Sequence, residues 1–285
     1  MPELPEVETI VRDLRPMLLK QVIVDAQVGD QPLRKQWQEE WTDHLSGQTM
    51  LAATRRGKWI VIPLEDGSRL VFHMGMTGQL RVLPTTEPIE SHTHLILRLG
   101  DGTNQLRFRD IRRFGSVTVY QSEADLQSFF DESELGPEPF GLTPQYWQPR
   151  LAATGRNLKA ILLDQRVVAG VGNIYADEIL FEAKLHPTRP GKETSRSQIQ
   201  RLCEAVEMVL TRAIEKRGST IRNYVGGSGL AGGFQEEFNV YGRTGNPCLR
   251  CQAKIQQMRL AGRSTHFCPR CQKRKRASTS DQAQR

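Results

Sequence analysis

With 285 residues, 38% of them apolar and 25% charged, the chain can bury one large core or two ordinary ones and is too apolar to be disordered throughout. Its net charge of +7 is uneven: residues 241–285 carry +10 and residues 1–240 carry −3, which points to an anionic partner at the C-terminal end. No apolar run approaches the ~18 residues of a membrane helix, and the acidic start Met1-Pro2-Glu3-Leu4-Pro5-Glu6 is unlike a secretory signal, so no membrane association and a cytoplasmic location are expected.

Residues 5–19 read as a helix, because Val7, Ile10, Val11, Leu14 and Leu18 recur at helical spacing. Pro5 suits its first turn, and Glu6 and Glu8 suit its positive end. From about 22 to 120 the signal is β, with strands expected at 22–28, 58–64, 69–73, 94–99, 105–109 and 115–120. Asp66-Gly67 and Asp101-Gly102 supply turns between them, and so many short strands argue for a sandwich or barrel. Residues 131–150, punctuated by Gly136, Pro137, Pro139, Gly141, Pro144 and Pro149, read as a linker. Helices are then expected at 157–164, 173–184 and 196–217, the last with Ser195 and Gln198 as a capping box and Gly218 as its stop. Residues 226–233, five of them glycine, read as a mobile loop, and the basic tail 273–285 as disordered.

The strongest chemical signal is Cys248-x2-Cys251-x16-Cys268-x2-Cys271, the spacing of a zinc ribbon or finger. Four sulfurs leave no open position on the metal, so the expected zinc is structural. Cys203 lies on the apolar stripe of its helix and reads as an inert core residue. Between the cysteine pairs, Gly262 invites a hairpin turn with Arg263 near its tip, either a phosphate clamp or an ordinary exposed arginine. At the other end, removal of Met1 leaves Pro2 with a free secondary amine titrating near ~8, able to attack an electrophilic carbon, with Glu3 and Glu6 close by for proton transfer. The plainer reading of the same residues is an acidic helix start. Lys58 after Arg55-Arg56-Gly57, the glycine turn before Asn173, and Arg112-Arg113-Phe114 each suit contact with nucleic acid, and each has an ordinary structural reading as well.

Taken together, Pro2-Glu-Leu-Pro-Glu-Val-Glu-Thr9, Arg56-Gly-Lys58, His73-Met-Gly-Met76-Thr-Gly78, Asp110-Ile-Arg-Arg-Phe-Gly115, Leu135-Gly-Pro-Glu-Pro139, Val171-Gly-Asn-Ile-Tyr-Ala176 and the four cysteines resemble the formamidopyrimidine-DNA glycosylase family over residues 1–272. The resemblance implies an α+β chain: an N-terminal β-sandwich with its helix (1–130), a linker (131–150), a helix-two-turn-helix domain (151–237), a zinc finger (238–272) and a basic tail (273–285). It implies a monomeric enzyme that flips an oxidised purine, such as 8-oxoguanine or a formamidopyrimidine, out of double-stranded DNA, excises it and cuts the strand by β,δ-elimination, with one structural zinc and no organic cofactor.

The same resemblance assigns roles. Pro2 is the nucleophile and Glu3 the acid/base, with Lys58 and Arg263 in the catalytic set and Glu6 and Glu178 supporting it. Glu178 is expected to orient the N-terminus. Lys58, His73, Asn173, Tyr241 and Arg263 grip phosphates, while Met76, Arg112 and Phe114 enter the duplex and Arg112 pairs with the orphaned base. Ser219, Thr220, Ile221, Arg222, Asn223 and Tyr224 resemble the start of a lesion-capping loop. Ile111 departs from the family, standing where many members carry proline. The rival readings are the related endonuclease VIII type, which prefers oxidised pyrimidines, and a zinc-dependent DNA-binding protein without catalysis. Leu4 and Phe114 favour the purine enzyme, and intact Pro2, Glu3 and Lys58 favour catalysis.

Overall fold

The computed structural model describes residues 2–33, 35–220 and 230–274; residues 221–229, which include Ile221–Tyr224 and the first half of the glycine-rich stretch, and the tail from 275 lie outside them. Two compact units emerge. The first comprises Met1–Glu138, Val168–Gly170 and Leu210–Glu237; the second comprises Pro139–Val167, Val171–Val209 and Phe238–Arg285.

The first unit opens with helix α1 (Leu4–Leu18), whose apolar stripe is fully buried. Glu3 and Glu6 close its N-terminus as a reciprocal capping box, satisfying amides that the first turn leaves open. After β1 (Ile23–Val28) and the short α2 (Glu40–Leu45) come β2 (Thr54–Arg56), β3 (Trp59–Pro63), β4 (Arg69–His73), β5 (Gly78–Pro84), β6 (Thr93–Leu99), β7 (Asn104–Asp110) and β8 (Ser116–Tyr120). They form two antiparallel four-stranded sheets, ordered β1-β6-β7-β5 and β2-β3-β4-β8. One apolar cluster joins the two sheets and α1. Leu80, Leu97, Leu106 and Phe108 come from one sheet, Ile60, Ile62, Leu70 and Phe72 from the other, and Val7, Ile10 and Leu14 from the helix. This is the expected sandwich.

The sheets differ in their outer faces. Strand β7 alternates, with Leu106 and Phe108 inward and arginines outward. Strands β3 and β4 are apolar on both faces, because α3 (Glu123–Glu132) covers the outside with Leu126 and Phe130 against Val61 and Val71. Burying each such side chain stabilises the unit by about 1.5–3 kcal/mol. Residues 210–237 group with the sandwich because Arg217 holds Asp13 of α1 through two bonds (2.9 and 2.7 Å) and Ser219 bonds Glu6.

The second unit contains α4 (Pro144–Ala152), α5 (Leu158–Leu163) and α6 (Asn173–Glu182). Helix α4 occupies part of the stretch expected to be a linker: Pro144 stands in its first turn, where no amide is needed, so the proline marks a start and not a break. Helix α7 (Arg196–Glu215) runs from this unit into the first; Ser195 N donates to Gln198 at its start, and Gly218 (φ +70°) donates to Ala213 O at its end. Strands β9 (Gln256–Leu260) and β10 (Arg263–Phe267) form the hairpin between the cysteine pairs. No helix among the described residues is long and apolar enough to cross a membrane.

Candidate active site

In the first unit the N-terminal segment is held from three directions. Leu4 N donates to Gly170 O at 3.0 Å, and Glu3 N donates to Glu6 Oε2 at 2.9 Å. The other oxygen of Glu6 accepts from Ser219 N (2.7 Å) and Ser219 Oγ (3.0 Å). A single carboxylate therefore ties the start of α1 to the first residue of the expected lesion loop. Pro2, Glu3 and Glu6 are all buried. Gly218 must be glycine here, since a Cβ on its φ +70° backbone would meet Glu6 at 2.8–3.1 Å. Thr220 is held by Gln235, and Ile221, Arg222, Asn223 and Tyr224 lie outside the described residues.

Lys58 stands in the two-residue turn between β2 and β3 and is buried. Glu138 fixes that turn: its carboxylate accepts from Gly57 N (2.6 Å), Arg55 Nη1 (2.7 Å) and Arg56 Nη1 (3.2 Å). The sequence reading gave Glu138 no role, because its partners lie about eighty residues away and the chain between them carries no trace of the pairing. His73, at the end of β4, packs at a tilt against Trp59 with ring centroids 4.6 Å apart and accepts from Gly75 N at Nδ1 (3.2 Å). An Nδ1 that accepts leaves the neutral ring's hydrogen on Nε2, a donor suited to a phosphate oxygen. Met76 and Phe114 are 39% and 44% exposed, and the Arg112 guanidinium lies 4.7 Å from the Phe114 ring centre.

In the second unit, Asn173 opens α6 and Glu178 lies on it, 1% exposed. Glu178 accepts four hydrogen bonds: Asn239 N and Nδ2 at 2.9 and 3.1 Å, Val240 N at 2.9 Å and Tyr241 N at 2.9 Å. Burial pushes its carboxyl upward, and the four donors pull the other way by favouring the ionised form. What the structure gives Glu178 is thus the anchoring of residues 239–241, and so of Tyr241. Glu178→Gln, which sets an amide NH2 against N–H donors, should lower unfolding free energy by about 2–4 kcal/mol; chemical denaturation checks this, and an unchanged midpoint would refute the anchoring role.

A buried network lies beside it. The Lys159 ammonium contacts Asp177 and the carbonyls of Asn173 (3.4 Å) and Ser264 (3.3 Å), and Asp177 Oδ2 accepts from His266 N (2.9 Å) and lies 3.0 Å from His266 Nδ1. The Tyr241 ring in turn packs edge-on to His266 at 5.0 Å. One signal for this was present in the sequence: Asp177-Glu178 interrupts the otherwise largely apolar run from Ile174 to Phe181, and buried charges need partners.

Arg263 is exposed at the base of β10, directly after the turn Ala261-Gly262, whose φ values of +47° and +72° match the favoured hairpin type. The four cysteine sulfurs lie within 4.8 Å of one another, with Cys248–Cys271 at 3.9 Å and Cys251–Cys268 at 3.4 Å. A disulfide needs about 2.05 Å; tetrahedral zinc with ~2.3 Å bonds needs edges near ~3.8 Å. The donor set therefore fits zinc. The Ala253 backbone bond draws the Cys251 thiol down to about 7, while burial pushes the Cys268 and Cys271 thiols up, so zinc binding here would release protons. Phe181, Val240 and Ile255 pack around Cys248 and Cys268 and join the finger to α6.

Three sequence families match in chain order: the formamidopyrimidine-DNA glycosylase N-terminal domain over residues 1–117, the formamidopyrimidine-DNA glycosylase H2TH domain over 135–225, and the zinc finger found in FPG and IleRS over 245–274. The formamidopyrimidine-DNA glycosylase of Carboxydothermus hydrogenoformans is 44% identical, covering 96% of this chain and all of its own. Two crystal structures of Lactococcus lactis Fpg are similar throughout. A mutant with Fapy-dG containing DNA superposes with TM-score 0.90 at 36% identity, covering 96% of this chain and all of that one. A complex with abasic site containing DNA gives 0.88 at 35%, covering 95% and all. With the sandwich, the four-sulfur cluster and matches spanning both units, the chain belongs to the formamidopyrimidine-DNA glycosylase family.

Proposed function

We propose that this chain removes oxidised purines from double-stranded DNA and cuts the strand at the resulting abasic site, with Pro2 as nucleophile. The observation that carries the reading is the Glu6 carboxylate, which joins the Glu3 amide to Ser219. It fixes the backbone of the proposed acid/base, the residue next in sequence to the proposed nucleophile, and supports a site at the root of the loop proposed to read the base. The relatives bound to Fapy-dG and abasic DNA support the substrate class.

The chemistry follows from the residues. The neutral Pro2 nitrogen bonds the sugar C1′ while the glycosidic bond breaks and its electron pair leaves with the base, which takes up the proton that the nitrogen gives up. Glu3 protonates the sugar ring oxygen, so that the ring opens and the nitrogen becomes an iminium. That cation acidifies the neighbouring sugar protons and permits β- and then δ-elimination of the flanking phosphates. Lys58, His73, Asn173, Tyr241 and Arg263 hold phosphates, while Met76, Arg112 and Phe114 fill the vacated stack, with Arg112 favouring cytosine opposite the lesion. Zinc, held by the four cysteines, supplies rigidity to the hairpin that carries Arg263 and takes no part in bond making. Five unpaired cysteines suit a reducing compartment, and we place the enzyme in the cytoplasm.

Borohydride reduction during reaction with a duplex carrying one 8-oxoguanine opposite cytosine tests this. Protein lacking Met1, checked by intact mass, should yield a covalent adduct at Pro2. A faster reaction on thymine glycol would replace the purine assignment with the pyrimidine one; no adduct on either lesion would leave a binding protein.

A further inference from the structure

The two turns that carry Met76, Arg112 and Phe114 share one buried carboxylate. Asp110, the last residue of β7, is 0% exposed. Its Oδ1 accepts from Thr77 Oγ1 at 2.5 Å and from Arg112 N at 3.2 Å, and its Oδ2 accepts from Gly115 N at 2.7 Å. The Thr77 hydroxyl also accepts from Arg112 N at 3.1 Å. Thr77 follows Met76 in one turn, and Arg112 N and Gly115 N bracket Phe114 in the other.

The backbones meet as well. A Cβ added at Gly75 (φ +57°) would lie 2.4 Å from Gly115 N, and one at Gly115 would lie 2.7 Å from His73 O. Asp110 is itself fixed from behind: its amide donates to His92 O (3.0 Å), and its carbonyl lies 2.9 Å from His94 Nε2 and accepts from Arg113 N (3.2 Å). Arg113 takes a positive φ of 55°, a conformation that non-glycine residues hold only when their surroundings enforce it.

We propose that Asp110 and Thr77 are positioning residues that clasp the two turns into one wedge, so that Met76, Arg112 and Phe114 enter a duplex as a single preorganised unit. The inference rests on the reading of those three residues as duplex-inserting. Two loops ordered separately at the moment of insertion would each lose conformational freedom against the cost of unstacking; a clasped pair has lost it already on folding. The clasp acts on base extrusion and on the geometry with which Arg112 meets the opposite base. It has no part in the bond-making at Pro2.

The test compares wild type with Thr77→Val, Thr77→Ser and Asp110→Asn. Single-turnover release of 8-oxoguanine opposite cytosine and opposite adenine is measured beside cleavage at a preformed abasic site and thermal melting. Thr77→Val keeps the shape of the side chain and removes the hydroxyl from which the buried Asp110 carboxylate accepts, so its melting temperature should fall by only a few degrees. Its base release should fall about tenfold, the scale of one lost hydrogen bond to a charged group. Abasic cleavage should fall much less, the cytosine preference should narrow, and Thr77→Ser should restore all three. Asp110→Asn should show the same pattern more strongly. Equal loss of base release and abasic cleavage at an unchanged cytosine-to-adenine ratio would overturn the clasp, as would wild-type behaviour of Thr77→Val and Asp110→Asn. A wild-type protein that releases no base would overturn the functional reading itself, and the clasp with it.

Discussion

Pro2→Gly will lose strand cleavage and the borohydride-trapped adduct while still binding lesion DNA. The substitution leaves the anchors of the segment intact, because Leu4 N to Gly170 O and Glu3 N to Glu6 are backbone donors that glycine at position 2 does not remove. It leaves the phosphate-gripping side chains and the wedge untouched. What changes is the nucleophile: a secondary amine held in the pyrrolidine ring becomes a primary amine on the most mobile residue. A positioned nucleophile that gains such freedom should slow by roughly a hundredfold or more, whereas Kd for lesion DNA should move by no more than about threefold, the scale of a peripheral contact. Single-turnover cleavage and gel-shift titration on the same duplex measure both. Equal loss of cleavage and binding would remove Pro2 from the proposed role and leave it as part of the helix start.

Cys248→Ser is expected to have the second large effect, on binding. Cys248 is buried among Phe181, Val240 and Ile255, and its sulfur faces that of Cys271. Loss of one thiolate from a four-sulfur site forfeits most of the metal's contribution to folding, which is about 10–16 kcal/mol for structural zinc in small fingers. Arg263 begins the strand β10 that the site holds, so DNA affinity should fall by roughly tenfold to a hundredfold. The plot of log affinity against log salt should flatten by about one unit, the signature of one lost phosphate contact. Zinc content by mass spectrometry and a salt series would decide it. A zinc-free variant with wild-type affinity would separate the metal from Arg263's task.

The sequence was legible where local chemistry decides structure. Helix α1 announced itself by the spacing of Val7, Ile10, Leu14 and Leu18 and was found within a residue of its expected bounds. The zinc site was legible because a CxxC pair is a local object twice repeated. Turns were legible where glycine was demanded, as at Gly262 and Gly218. Helix α3 escaped notice because its amphipathic signal is short and its role, covering the outer face of β3 and β4, is set by strands sixty residues earlier. Helix α4 was hidden by two prolines, Pro144 in its first turn, where no amide is needed, and Pro149 inside it. In the site, sequence reasoning could nominate Glu6 and Glu178 but could not see that one accepts from Ser219 and the other from residues 239–241. Glu138 and Asp110 stood inside quoted motifs without a task, since their partners are supplied by tertiary structure.

The Lys159 network bears on how this chain can be shortened. The ammonium of Lys159 and the carboxylate of Asp177 are both 0% exposed, and part of what satisfies them, Ser264 O and the donors of His266, arrives only with the last hairpin. A chain ending before that hairpin would leave an interior ion pair without these partners, an arrangement far costlier than an absent surface module. The C-terminal hairpin is thus no detachable reader appended to a self-sufficient body. It supplies the final polar contacts that let α5 and α6 keep a charge between them, so truncation or domain grafting must carry the hairpin along or replace Lys159 and Asp177 with apolar residues as a pair.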